Sequence, residues 1–146
     1  MKNIIRVSIV LLLSNFVFNE EVELSIVDYS NGQIEIYMQN EGPVSGIQFN
    51  LNSTFENFAV SGANGGSAED AGFSLSSSPS GTILGFSFTG ASIPAGQGTL
   101  CFIQTTSDDD SSGSLWLDDA TFADPDCKLA FGYLVNKLGG EYLINE

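Results

Sequence analysis

From Val44 to Leu51 the chain reads Val-Ser-Gly-Ile-Gln-Phe-Asn-Leu, which puts Ile47, Phe49 and Leu51 on one side of an extended backbone and Gln48 and Asn50 on the other. Side chains alternate between the two faces of a strand, so this is the pattern of a half-buried antiparallel strand. The alternation recurs along the chain. Val22, Leu24 and Ile26 are spaced by Glu23 and Ser25; Ile34, Ile36 and Met38 are predicted inward, with Gln33, Glu35 and Tyr37 outward. Asn31-Gly32 between these runs is a hairpin signal, since both residues tolerate the positive φ of a two-residue turn. Asn40-Glu-Gly-Pro43 ends the second run, because proline cannot donate to a ladder.

Beyond Leu51 the pattern predicts a short strand within Phe55 to Val60, then a surface loop over residues 61 to 72, which is rich in Gly, Ala, Ser and Asn. Phe73-Ser-Leu75 begins a return, Ser76 to Gly81 is a turn cluster, and Leu84, Phe86 and Phe88 are predicted to face inward. Ala91 to Gly98 reads as an irregular connection. Thr99 to Thr105 alternates again, Ser114 to Leu117 is short and apolar, and Leu129, Phe131, Tyr133 and Val135 make a last strand. No segment is long and periodic enough for a helix in water. Eight or nine strands punctuated by turn residues predict an all-β antiparallel two-sheet sandwich. It occupies residues 20–138 and is followed by a tail, 139–146. Within Lys137 to Glu146, Gly139-Gly140 precedes a β-prone peptide suited to closing the parent sheet or to pairing with an edge of another copy.

Several blocks together resemble a cohesin domain: Gln33-Ile-Glu-Ile-Tyr-Met38, Gly42-Pro-Val-Ser-Gly-Ile-Gln-Phe-Asn-Leu51, Leu84-Gly-Phe-Ser-Phe88, Ile93-Pro-Ala-Gly-Gln-Gly-Thr-Leu100 and Trp116-Leu-Asp-Asp-Ala-Thr-Phe-Ala-Asp-Pro-Asp126. Their order and spacing match over roughly residues 22 to 136. The resemblance implies a nine-stranded jelly roll, of the kind shared with carbohydrate-binding modules. It also implies a non-catalytic module that binds a dockerin through one sheet face, or an adhesion or scaffold relative of such modules. Two features differ from the family pattern: Asn52-Ser-Thr-Phe-Glu-Asn57 stands where a tyrosine-aspartate-proline stretch is usual, and the cysteine pair is not a common cohesin feature.

Charge narrows the partners. Eighteen acidic residues against four basic ones give a net charge of −14. This field repels phosphate backbones and anionic headgroups, so nucleic acid and membrane lipid are not expected as partners of the mature domain. Lys2 and Arg6 precede the apolar run Val7 to Leu13, and residues 1–19 read as a secretion signal, too short and too interrupted for a membrane span of about 20 apolar residues. The expected location is therefore extracellular or at the cell surface. In an exported chain Cys101 and Cys127 read as one disulfide, worth about 3 kcal/mol on the chain-entropy model; two buried thiols are the alternative.

Candidate chemistry is sparse: there is no histidine, and no nucleophile motif stands out, so no enzyme is expected. Within Asp108 to Asp119 the spacing of Asp108, Asp110, Ser112 and Asp119 fits a twelve-residue calcium loop and also a plain acidic turn. No other cofactor is implied. Asn52-Ser53-Thr54 is a glycosylation sequon whose Asn52 alternation places outward. Trp116, Tyr37 and Tyr29 are candidates for an aromatic platform that stacks on sugar.

Gln48, Asn50 and Trp116 are the expected partner-facing residues, on the outer side of the Val44 to Leu51 strand or beside the Leu84 to Phe88 strand. The expected function is a secreted protein–protein assembly or adhesion module whose partner is dockerin-like. A self-assembling filament or coat subunit, donating the Met1 to Phe18 segment or the Glu141 to Glu146 tail as a strand to identical subunits, and a carbohydrate-binding module for a polysaccharide are the alternatives.

Overall fold

The computed structural model describes residues 21–107, 113–126, 129–130, 132–135 and 142–144, with side chains described for 21–107 and 113–126. The predicted signal, 1–19, lies outside the described residues. Among the described residues there are eleven strands: β1 Val22–Ser30, β2 Gln33–Asn40, β3 Gly46–Ser53, β4 Val60–Asn64, β5 Ser74–Ser77, β6 Thr82–Phe86, β7 Gly96–Thr105, β8 Gly113–Ala123, β9 Leu129–Ala130, β10 Gly132–Val135 and β11 Tyr142–Ile144. Nine of them have four residues or more, and these are the strands of the jelly roll. One sheet has the order β10-β1-β2-β7-β4; the other runs β11-β8-β3-β6-β5, with β9 beside β8. Pairing is antiparallel except for β10, which lies parallel to β1.

The first hairpin forms as its sequence predicts. Asn31 and Gly32 have φ of 52° and 71°, the mirror-image turn whose twist suits two right-twisted strands. β1, β2 and β3 keep the expected alternation, with Leu24, Ile36 and Phe49 fully buried between the sheets. Bulges then adjust which residues share a face. An extra residue in β1, Val27, lets both Ile26 and Tyr29 point inward. Leu100 has no partner in the β2–β7 register, so it and Cys101 are both buried.

Four expectations change. The predicted loop at 61–72 contains β4, which pairs with β7, and a short helix, α1 Gly66–Asp70. α1 is held at its start by the Gly65 amide donating to Glu69 Oε2 at 2.6 Å, and it buries Ala68 against β7. β8 is eleven residues long, not four. The last predicted strand divides: β9 pairs with β8, whereas β10 crosses to β1 in the other sheet. The tail closes the parent sheet, with Tyr142–Ile144 opposite Gly113–Leu115 of β8.

The fourth change concerns β6. Ile83 and Gly85 face the core, and Leu84 and Phe86 face solvent, the reverse of the predicted orientation. Space explains it. A Cβ on Gly85 would stand 2.7 Å from Ile47 Cγ1 and 2.8 Å from Leu75 Cδ2, so the inward position at 85 has no room for a side chain. Leu84 or Phe86 turned inward would need that room.

Gly81 sits in the turn before β6 with φ 103°, and its Cβ would meet the Leu51 carbonyl oxygen at 2.0 Å. Gly90 has φ 75° and open space around it. Gly81→Ala is expected to lower unfolding stability by about 3 kcal/mol through backbone clash added to left-handed strain, and Gly90→Ala by only about 1 kcal/mol from strain alone. Urea unfolding of the two variants measures the difference.

Candidate functional site

The outer face of the β5–β6–β3–β8 sheet collects the residues that sequence reasoning assigned to a partner. Gln48 lies between Leu84 of β6 and Thr121 of β8, Asn50 between Thr82 and Asp118, and Asn52 beside Trp116. Paired residues share a face, so Gln48, Asn50 and Trp116 point outward together. What the sequence did not reveal is the apolar part of this face. Leu84 is 39% exposed and Phe88 83% exposed, the two exposed large hydrophobics among the described residues. The Phe86 and Phe88 rings meet edge to face at 4.7 Å and 72°.

Between Leu84 and Phe86 on one side and Thr121 and Ala123 on the other runs a shallow groove of about 300 Å³. Gly46 forms part of its floor, opposite Phe86 and Ala123 in register. A glycine there leaves the groove open down to the backbone. The one trace of this surface in the sequence is Gly85 itself, since a glycine inside a strand often marks a close approach; which neighbours pack over it, Ile47 and Leu75, is known only from the fold.

The polar end of the face is built on a β8 bulge. Asp119 and Ala120 together oppose Phe49, and Asp119 has φ 50°, a conformation aspartate tolerates better than most residues. Asn50 Nδ2 donates to Asp119 Oδ2 at 3.2 Å, fixing the carboxylate across the sheet. Nearby, Asn52 Nδ2 and Asp118 Oδ1 are buried without a hydrogen-bond partner. A buried polar atom left unpaired carries a desolvation cost of about 1–3 kcal/mol, so this end of the face is under-satisfied as it stands.

These positions bear on several expectations. Of the four residues of the expected calcium loop, Asp119 is described, six residues into β8. Asp108, Asp110 and Ser112 lie outside the described residues, and among the described residues no group of three or more His, Cys, Asp or Glu is arranged to hold a metal ion. Asn52 shares the outer face with Trp116 and is half-buried there, its Nδ2 without a hydrogen-bond partner. The three aromatics do not form one platform. Tyr29 is in the core and donates its hydroxyl to the Ser107 carbonyl at 2.7 Å, Trp116 is on this face, and Tyr37 is on the outer face of the opposite sheet.

Cys101 is described as a free thiol; Cys127, its expected disulfide partner, lies outside the described residues. Cys101 faces the core from β7 opposite Ile36, and burial pushes its pKa up to about 12.

The arrangement of two sheets, with this face outermost, is that of the cohesins. A cohesin of OlpC from Clostridium thermocellum, solved in a type I cohesin–dockerin complex, matches with a TM-score of 0.59 at 14% identity, over 80% of this chain and 88% of that one. A non-cellulosomal cohesin from the archaeon Archaeoglobus fulgidus gives 0.59 at 14% identity over 88% and 92% of the two chains. The third ScaB cohesin of R. flavefaciens, in complex with a group 1 dockerin, gives 0.57 at 10% identity over 89% and 99%. No family model and no curated protein matches the chain. The chain has a cohesin-like jelly-roll fold.

The thiol yields a test of its own. A folded pKa above the unfolded value means that the native state keeps a proton the unfolded chain has lost. Stability is therefore unaffected by this group below about pH 9 and falls as pH rises from there towards 12. In wild type against Cys101→Ala, the difference in unfolding stability is expected to narrow across that window. Thiol labelling followed by peptide mapping is expected to leave Cys101 unmodified in the native chain and to modify it in denaturant.

Proposed function

We propose that this chain is a non-catalytic docking module of cohesin type. It holds a dockerin-like protein partner on the outer face of the β5–β6–β3–β8 sheet, as part of an extracellular or cell-surface assembly. The observation that carries the reading is the composition of that face: an apolar centre at Leu84, Phe86 and Phe88, a groove over Gly46, and a polar border at Gln48, Thr121 and Asp119.

Interfaces that bind specifically have this layout, with desolvated apolar anchors inside a ring of polar groups. A large exposed aromatic such as Phe88 has an unfavourable contact with water that a partner would remove. Two proteins of the same fold, those from C. thermocellum and R. flavefaciens, were solved holding dockerins. The acidic surface adds a preference for a partner with basic residues at the Asp118–Asp119 end, which would steer encounter. The signal-like pattern of residues 1–19 supports an exported module.

The strand-donating filament has less to recommend it where the C-terminal tail is the donor. β11 already pairs with β8 of its own chain, and a tethered strand competes against one from another copy at an effective concentration of order millimolar; the other expected donor, Met1 to Phe18, lies outside the described residues.

Pull-down and calorimetry of the full chain against a panel of dockerin modules, with and without calcium, test the proposal. At least one dockerin is expected to bind, and Leu84→Asp or Phe86→Asp is expected to weaken that complex by about a hundredfold while leaving the thermal transition in place. Absence of binding to every dockerin, or equal binding by both variants, overturns it.

A further inference from the structure

We infer that the opposite face of the molecule, the outer surface of the β1–β2–β7–β4 sheet, is a second binding site and that its ligand is a neutral polysaccharide chain. This surface is separate from the docking face and does not depend on it. Its residues can be placed row by row from the strand register. At its centre Tyr37 of β2 stands between Ser25 of β1 and Thr99 of β7. Both neighbours are small, so no tall side chain flanks the ring along that row. In the next row Phe102 of β7 lies between Glu35 of β2 and Asn64 of β4, diagonal to Tyr37 and within the reach that such pairs have for aromatic contact with one ligand.

On either side of these two rows stand long amides. Gln39 and Gln97 are paired on one side, both exposed, and Gln33 and Gln104 on the other. The two aromatic rows thus lie between two rows of amides, with carboxylates at the β1 edge, where Glu23 pairs with Gln39 and Asp28 with Glu35.

Several features select the ligand. Sugar rings present CH faces that pack on aromatic rings, and hydroxyls that both donate and accept; a glutamine amide does both as well, whichever hydroxyl meets it. Glu35 receives a hydrogen bond from the Thr99 hydroxyl, which holds its carboxylate on the face as a further acceptor for hydroxyl donors. Gln104 Nε2 donates to Asn64 Oδ1 at 3.4 Å, a contact at the outer limit of a hydrogen bond that a ligand hydroxyl would readily displace. The net charge of −14 disfavours polyanions, whether acidic polysaccharide or nucleic acid. A protein partner finds less here, since Tyr37 and Phe102 are each part-buried and, among the described residues, no large hydrophobic on this face is exposed in the way that Phe88 is on the other.

Affinity electrophoresis of the full chain through gels containing hydroxyethylcellulose, xyloglucan, galactomannan or arabinoxylan, with alginate as the acidic control, tests the inference. At least one neutral polymer is expected to retard migration, and alginate is not. Tyr37→Ala is expected to weaken that retardation by about tenfold, and Tyr37→Phe, which keeps the ring, by much less. Gln39→Ala and Gln97→Ala are expected to weaken it by a few-fold each, whereas Leu84→Asp and Trp116→Ala, on the other sheet, leave it unchanged. The inference is overturned if no neutral polymer retards the chain, if retardation follows Trp116 in place of Tyr37, or if the face binds only basic proteins. Gln39→Ala and Gln97→Ala keep the test decisive should Tyr37→Ala fail to fold.

Discussion

In β6, a single crowded position decides what the protein shows to its surroundings. Side chains alternate along a strand wherever no bulge interrupts it, as in β6, so the residue that faces the core at one position determines every other residue of that strand. Ile47 from β3 and Leu75 from β5 close over position 85 and leave space only for a hydrogen atom. With glycine there, Ile83 reaches the core and Leu84 and Phe86 must face outward. The apolar centre of the docking face is thus a steric consequence of how the core packs behind it. Any change that opened space at 85 would also weaken the constraint that holds the outer residues in view.

Bulges are the second device, and they act by breaking the same alternation locally. The extra residue Val27 turns Tyr29 into the core, where its ring packs 5.7 Å from Phe55 and its hydroxyl ties to the loop after β7. The bulge at Leu100 puts two consecutive residues, Leu100 and Cys101, under cover while Thr99 and Phe102 both remain on the outer face. The bulge at Asp119 and Ala120 lets β8 continue as one strand past the end of the apolar groove, and it places a carboxylate where Asn50 can hold it. A β-sandwich with unbroken strands would have neither the aromatic pair on one face nor the fixed acid on the other.

The parts of this fold that were legible in the sequence are those where alternation runs undisturbed and turn residues bracket it. β1 to Ile26, β2 and β3 were readable because Leu24, Ile36 and Phe49 each have polar residues on both sides, and Asn31-Gly32 announces its turn. β6 was not, because Leu84, Phe86 and Phe88 form an apolar alternation of their own, and only the long-range crowding by Ile47 and Leu75 distinguishes the two orientations. β4 and α1 were hidden for a different reason. Their Gly, Ala, Asn and Ser content carries little periodicity, and each is stabilised by β7, some forty residues later in the chain. Cysteine counting contains no depth, so the place of Cys101 in the core, opposite Ile36, came only from the fold. Of the candidate partner residues, Gln48, Asn50 and Trp116 were correctly placed on an outer face by alternation alone, and the hydrophobics that give that face its character were not.

The two outer faces follow from one property of a sandwich: burying both inner faces leaves two outer ones, each free to specialise because the core between them insulates one from the other. Here they differ in the way that ligand chemistry demands. The β5–β6–β3–β8 face concentrates exposed hydrocarbon at Leu84, Phe86 and Phe88, which gains most from a partner that excludes water over a broad area. The β1–β2–β7–β4 face has half-covered rings among amides, where most of the gain would come from hydrogen bonds spread along an extended ligand. Neither face shares a side chain with the other, so occupation of one imposes no steric limit on the second. With both sites in use, a single small domain would link a protein partner on one side to a polysaccharide on the other, and the rigid core that separates the faces would set the distance between them.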